Sequence, residues 1–142
     1  MLRKTLAGLL TGAAIALAAG PAAAQDKPEL TIFWAEWDPA NYLQELVNEY
    51  PDATVTVETT PWSDFQTKAF TEFNAKGDAY DMVVGDSQWL GAASTGGHYV
   101  ELTDFVKEHN LTEVMAPATM TYYSEYPKAS GRYWSVPAEG DA

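Results

Sequence analysis

The regular patterning of the chain begins with a short apolar run at residues 30–33, followed by a longer segment of helical periodicity. The run is rich in branched and aromatic side chains, as a buried strand of a parallel sheet should be. Beyond it, apolar side chains recur at three- and four-residue spacing at Leu43, Leu46, Val47 and Tyr50. That spacing predicts an amphipathic helix with these side chains on its apolar face.

The connection between this strand and this helix, residues 34–39, concentrates aromatic and acidic side chains. It holds two indoles, Trp34 and Trp37, and two carboxylates, Glu36 and Asp38. Asp38 suits the N-cap of the helix, and the proline that follows it suits the first helical turn. In open α/β sheets, ligands bind in the crevice beyond the carboxyl ends of the strands. We therefore expect this connection to stand beside a ligand.

A second strand and a second helix follow. Residues 52–60 alternate with period two, with Val55 and Val57 on one face, which favours a strand nearer the sheet edge. The next helix has Ser63 as its predicted cap and Gly77 as its predicted left-handed end. Its inward face is predicted to consist of Phe65, Ala69, Phe70 and Phe73.

A third strand is predicted at residues 80–85. The alternation of strands and helices with short connections is typical of a mostly parallel sheet flanked by helices. The rest of the chain predicts a short helix at 89–94, helices with threonine caps at 103–108 and 112–124, and, after a turn at 130–131, a fourth strand at 132–136.

Residues 1–24 have the pattern of an export signal. Arg3 and Lys4 precede an apolar run, and small residues at 22–24 fit a cleavage site near Ala24. The alternative is an N-terminal membrane anchor. The mature chain, 25–142, is long enough for one modest domain. Its final residues read as the end of a strand that enters a new connection, which predicts a fragment.

Charge and cysteine content narrow the function. Removal of the signal leaves 6 basic residues against 20 acidic ones, a net charge of −14. That balance argues against nucleic acid and anionic membrane surfaces as partners. The chain has no cysteine, so a small disulfide scaffold is excluded.

The sequence contains no recognisable catalytic or metal-binding motif. His98 and His109 stand alone, without the spacing of a metal pair. We therefore predict no catalytic residue, no metal site and no cofactor.

Aromatic rings stand beside carboxylates or amides at each predicted strand end. A sugar presents matching surfaces, because an indole can stack on its C–H face while carboxylates and amides bind its hydroxyls. The predicted ligand-binding residues are Trp34, Glu36, Asp38, Trp62, Asp86, Ser87, Gln88, Trp89, Glu139 and Asp141.

For several of these residues, a purely structural role is an alternative to ligand binding. Trp34 suits the core as well as a binding site, and Asp38 suits a helix cap. Trp89 stands at a helix start, where it can pack inward. Trp62 lies outside any periodic pattern, which favours exposure to the cleft. Glu36 has no capping or pairing role and is the strongest polar candidate.

A family resemblance is carried by the Leu-Thr-Ile-Phe-Trp strand at 30–34 and by the segments 62–68, 80–86 and 131–137. In these segments the chain resembles the sugar-specific, maltose-binding-like family of extracellular solute-binding proteins. The resemblance implies that residues 25–142 are part of the N-terminal lobe of the type II periplasmic-binding-protein fold, followed by an incomplete second lobe. Ligand contacts would come from the loops after the first and third strands and from the crossing segment, with Trp62 after the second strand facing the cleft.

The resemblance also implies a function. Such a protein would be a periplasmic monomer that captures a carbohydrate without chemistry and delivers it to an inner-membrane ABC permease. A secreted glycoside-processing enzyme is the alternative, although Glu36 and Asp38 on one turn do not obviously straddle a bond. A truncated product without independent function is a third reading.

Overall fold

A computed structural model describes residues 27–139, so the predicted export signal and Asp141 lie outside the described residues. The elements, in chain order, are β1 (Glu29–Ala35), α1 (Asp38–Asn48), β2 (Thr54–Thr60), α2 (Trp62–Ala75), β3 (Met82–Val83), a 3-10 turn (Ser87–Trp89), α3 (Leu90–Thr95), α4 (Thr103–Glu108), α5 (Leu111–Val114), α6 (Pro117–Thr119) and a π-helical turn (Met120–Ser124).

The sheet is parallel, with the strand order β2-β1-β3. β1 pairs with β2 along its whole length, from Glu29 opposite Thr54 to Ala35 opposite Thr60. β3 pairs more briefly, with Val83 opposite Phe33. The prediction of a parallel α/β sheet with β2 outside β1 is therefore confirmed. The predicted third strand over 80–85 is reduced to two residues.

The main core lies between the sheet and α2. Phe33, at the centre of β1, is fully buried, stacks on the Tyr80 ring at 4.1 Å and meets the Phe65 ring edge-on at 5.1 Å. Phe65 and Ala69 are buried, and Phe70 and Phe73 pack against them. The predicted inward face of α2 is thus confirmed.

The apolar face of α1 is narrower than predicted. Leu43 and Val47 pack against the buried side of β2, whereas Leu46 is 70% exposed and Tyr50 is also exposed. Leu43 and Val47 lie one above the other on the side of the helix that faces the sheet, and Leu46 lies to one side of that line, at the margin of the face. Tyr50 lies beyond the last helical residue, Asn48, so helical spacing does not govern it.

A side chain of α1 also binds the outer edge of β2. The Gln44 side chain donates from Nε2 to the Val55 carbonyl, at 3.1 Å, and accepts from the Val57 N–H, at 2.7 Å. Both backbone groups face away from β1 along the strand that borders the described sheet. Gln44 therefore satisfies part of an edge that has no neighbouring strand among the described residues.

The predicted helix ends were wrong by one or two residues. Trp37, not Asp38, occupies the N-cap of α1, and Pro61, not Ser63, occupies that of α2, in both cases without a side-chain cap. Lys76 adopts the left-handed conformation at the end of α2. At Gly77 a Cβ would lie 1.7 Å from a carboxylate oxygen of Glu72, so a larger residue there would require the flexible Glu72 side chain to move.

The predicted helix over 112–124 is divided in the structure. Pro117 cannot continue a preceding helix, because its ring blocks the residue before it from the α conformation and it lacks an N–H. Short helices therefore flank the break, and a π-helical turn follows. The threonine caps are also wrong, since Leu102 and Asn110 occupy the two cap positions.

The predicted fourth strand, 132–136, is not a strand of the sheet. Tyr133 forms one isolated antiparallel bridge with Glu125, beyond a turn in which Gly131 has a φ of 69°. The Tyr133 N–H donates to the Thr103 hydroxyl, at 3.0 Å, and not to a neighbouring strand. The segment is thus tied to α4 and to its own turn.

Over residues 27–139, no helix has the length and apolarity to cross a membrane.

Replacement of Phe33 by alanine should lower the free energy of unfolding by about 3–5 kcal/mol, because it opens a cavity between the sheet and α2. Leu46→Ala, at an exposed position that the sequence pattern places inside, should change it by less than about 0.5 kcal/mol. Urea denaturation of both variants measures the difference. Equal losses would contradict the observed orientation of α1.

Candidate functional site

The carboxyl ends of the three strands meet at one edge of the sheet. The Glu36 N–H donates to the Thr60 carbonyl at 2.8 Å, which joins the loops after β1 and β2. The Val84 N–H donates to the Phe33 carbonyl at 3.0 Å, which brings the loop after β3 alongside. The predicted binding residues of these loops are therefore brought to one edge of the sheet. We call them the strand-end cluster: Trp34, Glu36, Asp38, Trp62, Asp86, Ser87, Gln88 and Trp89.

Two indoles are open to solvent at this edge. Trp62, the first residue of α2, is 63% exposed, and Trp37, which precedes α1, is 41% exposed. Trp34 is buried and meets Trp37 edge-on, with ring centroids 5.5 Å apart. Trp34 thus supports the ring that a ligand can reach. Trp37 belongs to the predicted cluster, although it was not among the predicted binding residues.

Trp89 lies in the core. It is 7% exposed, and its ring centroid is 5.0 Å from that of Phe65 and 5.7 Å from that of Phe70. This is the inward alternative considered for Trp89. Phe65 in turn contacts Trp62 at 6.1 Å, so the buried indole and the exposed one are connected through a single ring.

The acidic candidates differ in what they already contact. Glu36 and Asp38 are exposed. Asp86 is half-buried, and its Oδ1 accepts from the Gln88 N–H at 2.8 Å, which caps the 3-10 turn after β3. Ser87 and Gln88 are exposed on that turn. The loop after β3 is therefore organised by Asp86, while the carboxylates after β1 extend towards solvent.

Tyr99 supports the loop after β3 from behind, and the sequence reasoning missed it as a site residue. A Cβ added to Gly85 would lie 2.7 Å from the Tyr99 hydroxyl and 3.1 Å from the Trp89 ring. Burial, aided by the charge of Asp86, raises the pKa of Tyr99 to about 12. The glycine at the end of the third strand was the available signal, since such a residue often marks a close approach.

Glu139 belongs to the last described segment of the chain. It lines a cavity of about 300 Å³ with Pro137, Ala138, Met115, Ala116 and Thr119. Trp134, which the sequence pattern groups with it, donates its indole N–H to the Tyr126 carbonyl at 2.7 Å. The face of its ring is covered by the Arg132 guanidinium, at 4.9 Å. Trp134 is therefore part of the local structure of the last segment.

The exposed side chains of the strand-end cluster are suited to ligand binding. Across residues 27–139, no group of three or more histidine, cysteine, aspartate or glutamate side chains is arranged to hold a metal ion. Exposed indoles offer flat apolar faces, and neighbouring carboxylates accept hydrogen bonds. Together these groups match a ligand that has both an apolar face and hydroxyl groups.

The family model of bacterial extracellular solute-binding proteins matches residues 34–137 of the chain. The chain is also similar to an ABC transporter solute-binding protein from Agrobacterium radiobacter K84, solved in complex with ribitol. The two are 29% identical with a TM-score of 0.67. An N-glycan transport solute-binding protein from Streptococcus pneumoniae shares the fold, at 16% identity and a TM-score of 0.56.

These similarities span most of this chain but a small part of each solved protein. The first covers 76% of this chain and 28% of the Agrobacterium protein, and the second covers 75% and 24%. The chain therefore spans about a quarter of the length of these solved proteins. A search of curated proteins found no relative.

The raised pKa of Tyr99 predicts a loss of stability in strong alkali. The unfolded phenol releases its proton near pH 10, whereas folded Tyr99 holds it to about pH 12. Its stabilising contribution is therefore present below pH 10 and is lost as the pH rises from 10 to 12. The wild-type free energy of unfolding should fall over this window by up to about 1.4 kcal/mol per pH unit more steeply than that of Tyr99→Phe.

Urea unfolding at a series of alkaline pH values measures this difference in slope. Tyr42→Phe, on the exposed face of α1, controls for the general loss of one phenol. Parallel pH profiles for wild type and Tyr99→Phe would show that Tyr99 is not protected in the folded protein.

Proposed function

Because the chain belongs to the bacterial extracellular solute-binding protein family, we propose that it captures a carbohydrate outside the cytoplasm and delivers it to an inner-membrane ABC permease. The observation that carries this proposal is the pair of exposed indoles, Trp37 and Trp62, beside the carboxylates at the strand ends. Residues 27–139 would supply one face of the binding site, and a second lobe would supply the other.

The chemistry of the exposed groups supports a carbohydrate as ligand. A sugar or polyol has weakly polar C–H surfaces, on which an indole gains contact area without a hydrogen-bonding requirement. Its hydroxyl groups donate to carboxylates, and such charge-assisted bonds are stronger than neutral ones. Trp62 is placed for stacking and Glu36 for the hydroxyl rim. Asp38 is exposed beside them, at the start of α1.

The solved structures that resemble the chain point in the same direction. The Agrobacterium protein is described as a complex with ribitol, and the Streptococcus protein as an N-glycan transport protein. Both names refer to polyhydroxylated ligands. A polyol or sugar is accordingly the ligand class that we propose for this chain.

We extend the proposal to export, oligomeric state and the absence of a chemical step, as expected for this family. The protein would be exported, with cleavage near Ala24, and would act as a periplasmic monomer. Ligand capture would proceed without a chemical step. Hydrolysis of a glycoside requires two carboxyl groups on opposite sides of the scissile bond. Glu36 and Asp38 are two residues apart, one after β1 and one at the start of α1, which favours binding over hydrolysis.

Titration of the full-length protein with ribitol, D-glucose, maltose and chitobiose tests the proposal, with tryptophan fluorescence and calorimetry as readouts. At least one of these compounds should bind saturably. Trp62→Ala should weaken that binding about three- to tenfold, because a stacking surface is lost. Glu36→Gln should weaken it about tenfold or more, because a charge-assisted acceptor becomes neutral.

Tyr42→Ala is the matched control, since Tyr42 is a similarly exposed aromatic residue on the outer face of α1. It should leave the dissociation constant unchanged. Absence of binding to the whole panel, or equal effects of Tyr42→Ala and Trp62→Ala, would contradict the proposed site. Release of product from chitobiose or maltose would instead favour the glycoside-processing alternative.

A further inference from the structure

One cationic side chain reaches the edge where the strands end. Lys68, on α2, donates from Nζ to the Thr60 hydroxyl at 2.6 Å. Thr60 is the last residue of β2 and is buried, whereas Lys68 is exposed. The Lys68 ammonium is therefore held at the end of β2, while Lys68 as a whole remains accessible to solvent.

The path of the chain explains this placement. α2 begins at Trp62, two residues after the end of β2, and contacts β1 on its way back along the sheet. Side chains on a helix tilt towards its N-terminus, so the long side chain of Lys68 extends towards the strand ends. Thr60 itself is tied to the loop after β1, because its carbonyl accepts from the Glu36 N–H at 2.8 Å.

The acidic side chains at this edge cannot supply what a hydroxyl-rich ligand needs. Glu36, Asp38 and Asp64 are exposed and Asp86 is half-buried. Ionised carboxylates only accept hydrogen bonds, whereas each ligand hydroxyl also carries lone pairs that require a donor. A lysine ammonium has three donor hydrogens, and the contact with Thr60 uses one of them.

The other basic side chains of the described residues stand elsewhere along the chain. Lys27 precedes β1, Lys76 ends α2, and Lys107, Lys128 and Arg132 belong to segments after α3. Arg132 is already paired with Glu101 at 2.7 Å. Lys68 is thus the basic residue that contacts a strand end directly.

We propose that Lys68 is a specificity-determining residue of the binding site, whose ammonium donates to one oxygen of an uncharged polyhydroxylated ligand while Thr60 holds it in place. This inference rests on the proposed function and names a residue that the aromatic and acidic pattern did not include. An uncharged ligand fits this edge, because the exposed carboxylates repel a negative group and the Lys68 ammonium repels a positive one. The alternative is a purely structural role, in which Lys68 only ties α2 to β2.

The test combines substitution of Lys68 with removal of single ligand hydroxyls. The probes are ribitol, D-glucose and maltose, and the monodeoxy derivatives of the tightest binder among them. Lys68→Met should weaken binding of the parent compound about tenfold or more. One monodeoxy derivative should bind the wild type correspondingly less well, yet bind Lys68→Met as well as the parent does. Lys68→Arg, which keeps a charged donor, should recover part of the affinity.

The controls separate the possible roles of Lys68. Lys107→Met removes a lysine charge from α4 and should not change the dissociation constant. Glucuronate should bind the wild type more weakly than glucose. Lys68→Gln keeps a neutral donor and serves for the deoxy series if Lys68→Met does not fold.

Each outcome decides between the roles. If the substitution weakens all derivatives by the same factor, or weakens none, Lys68 does not contact the ligand and this inference is overturned. If glucuronate binds better than glucose, the proposed charge selectivity is wrong. If the wild type binds no member of the panel, the proposed function fails first, and this inference fails with it.

Discussion

Full-length parallel pairing between β1 and β2 is the constraint on which the rest of the structure depends. Because the two strands are in register from Glu29 and Thr54 to Ala35 and Thr60, they end together. The loops that follow are then forced to leave the sheet at one edge. Burial of Phe33 at the centre of β1 fixes which face of the sheet α2 covers. The strand-end cluster is a product of this register, since its members are distant in sequence.

The same edge combines a rigid layer with an accessible one. Trp34 and Trp89 are buried beneath it, and Tyr99 packs against the loop after β3. The exposed rings of Trp37 and Trp62 rest on this layer through edge-on and tilted ring contacts. Such support limits the freedom of the exposed rings before a ligand arrives, and preorganisation of this kind reduces the entropic cost of binding.

The sequence was most informative where burial imposes a period. The apolar run of β1 and the inward face of α2 were predictable, because a buried strand and a packed helix each require a fixed spacing of apolar residues. The sequence was less informative where a single residue or a tertiary contact decides the local structure. The break at Pro117 overrode the apparent helix over 112–124. The burial of Trp89 and the reach of Lys68 depend on where α2 lies against the sheet, and local sequence does not encode that placement.

The contact of Gln44 with β2 has a consequence for self-association. An uncovered strand edge is a template on which a strand of another molecule can add, and this is a common route to aggregation. Gln44 occupies the Val55 carbonyl and the Val57 N–H from within the same molecule, so an incoming strand finds its central hydrogen-bonding positions already taken. A single amide on a helix thereby makes the β2 edge a poorer site for the addition of another strand.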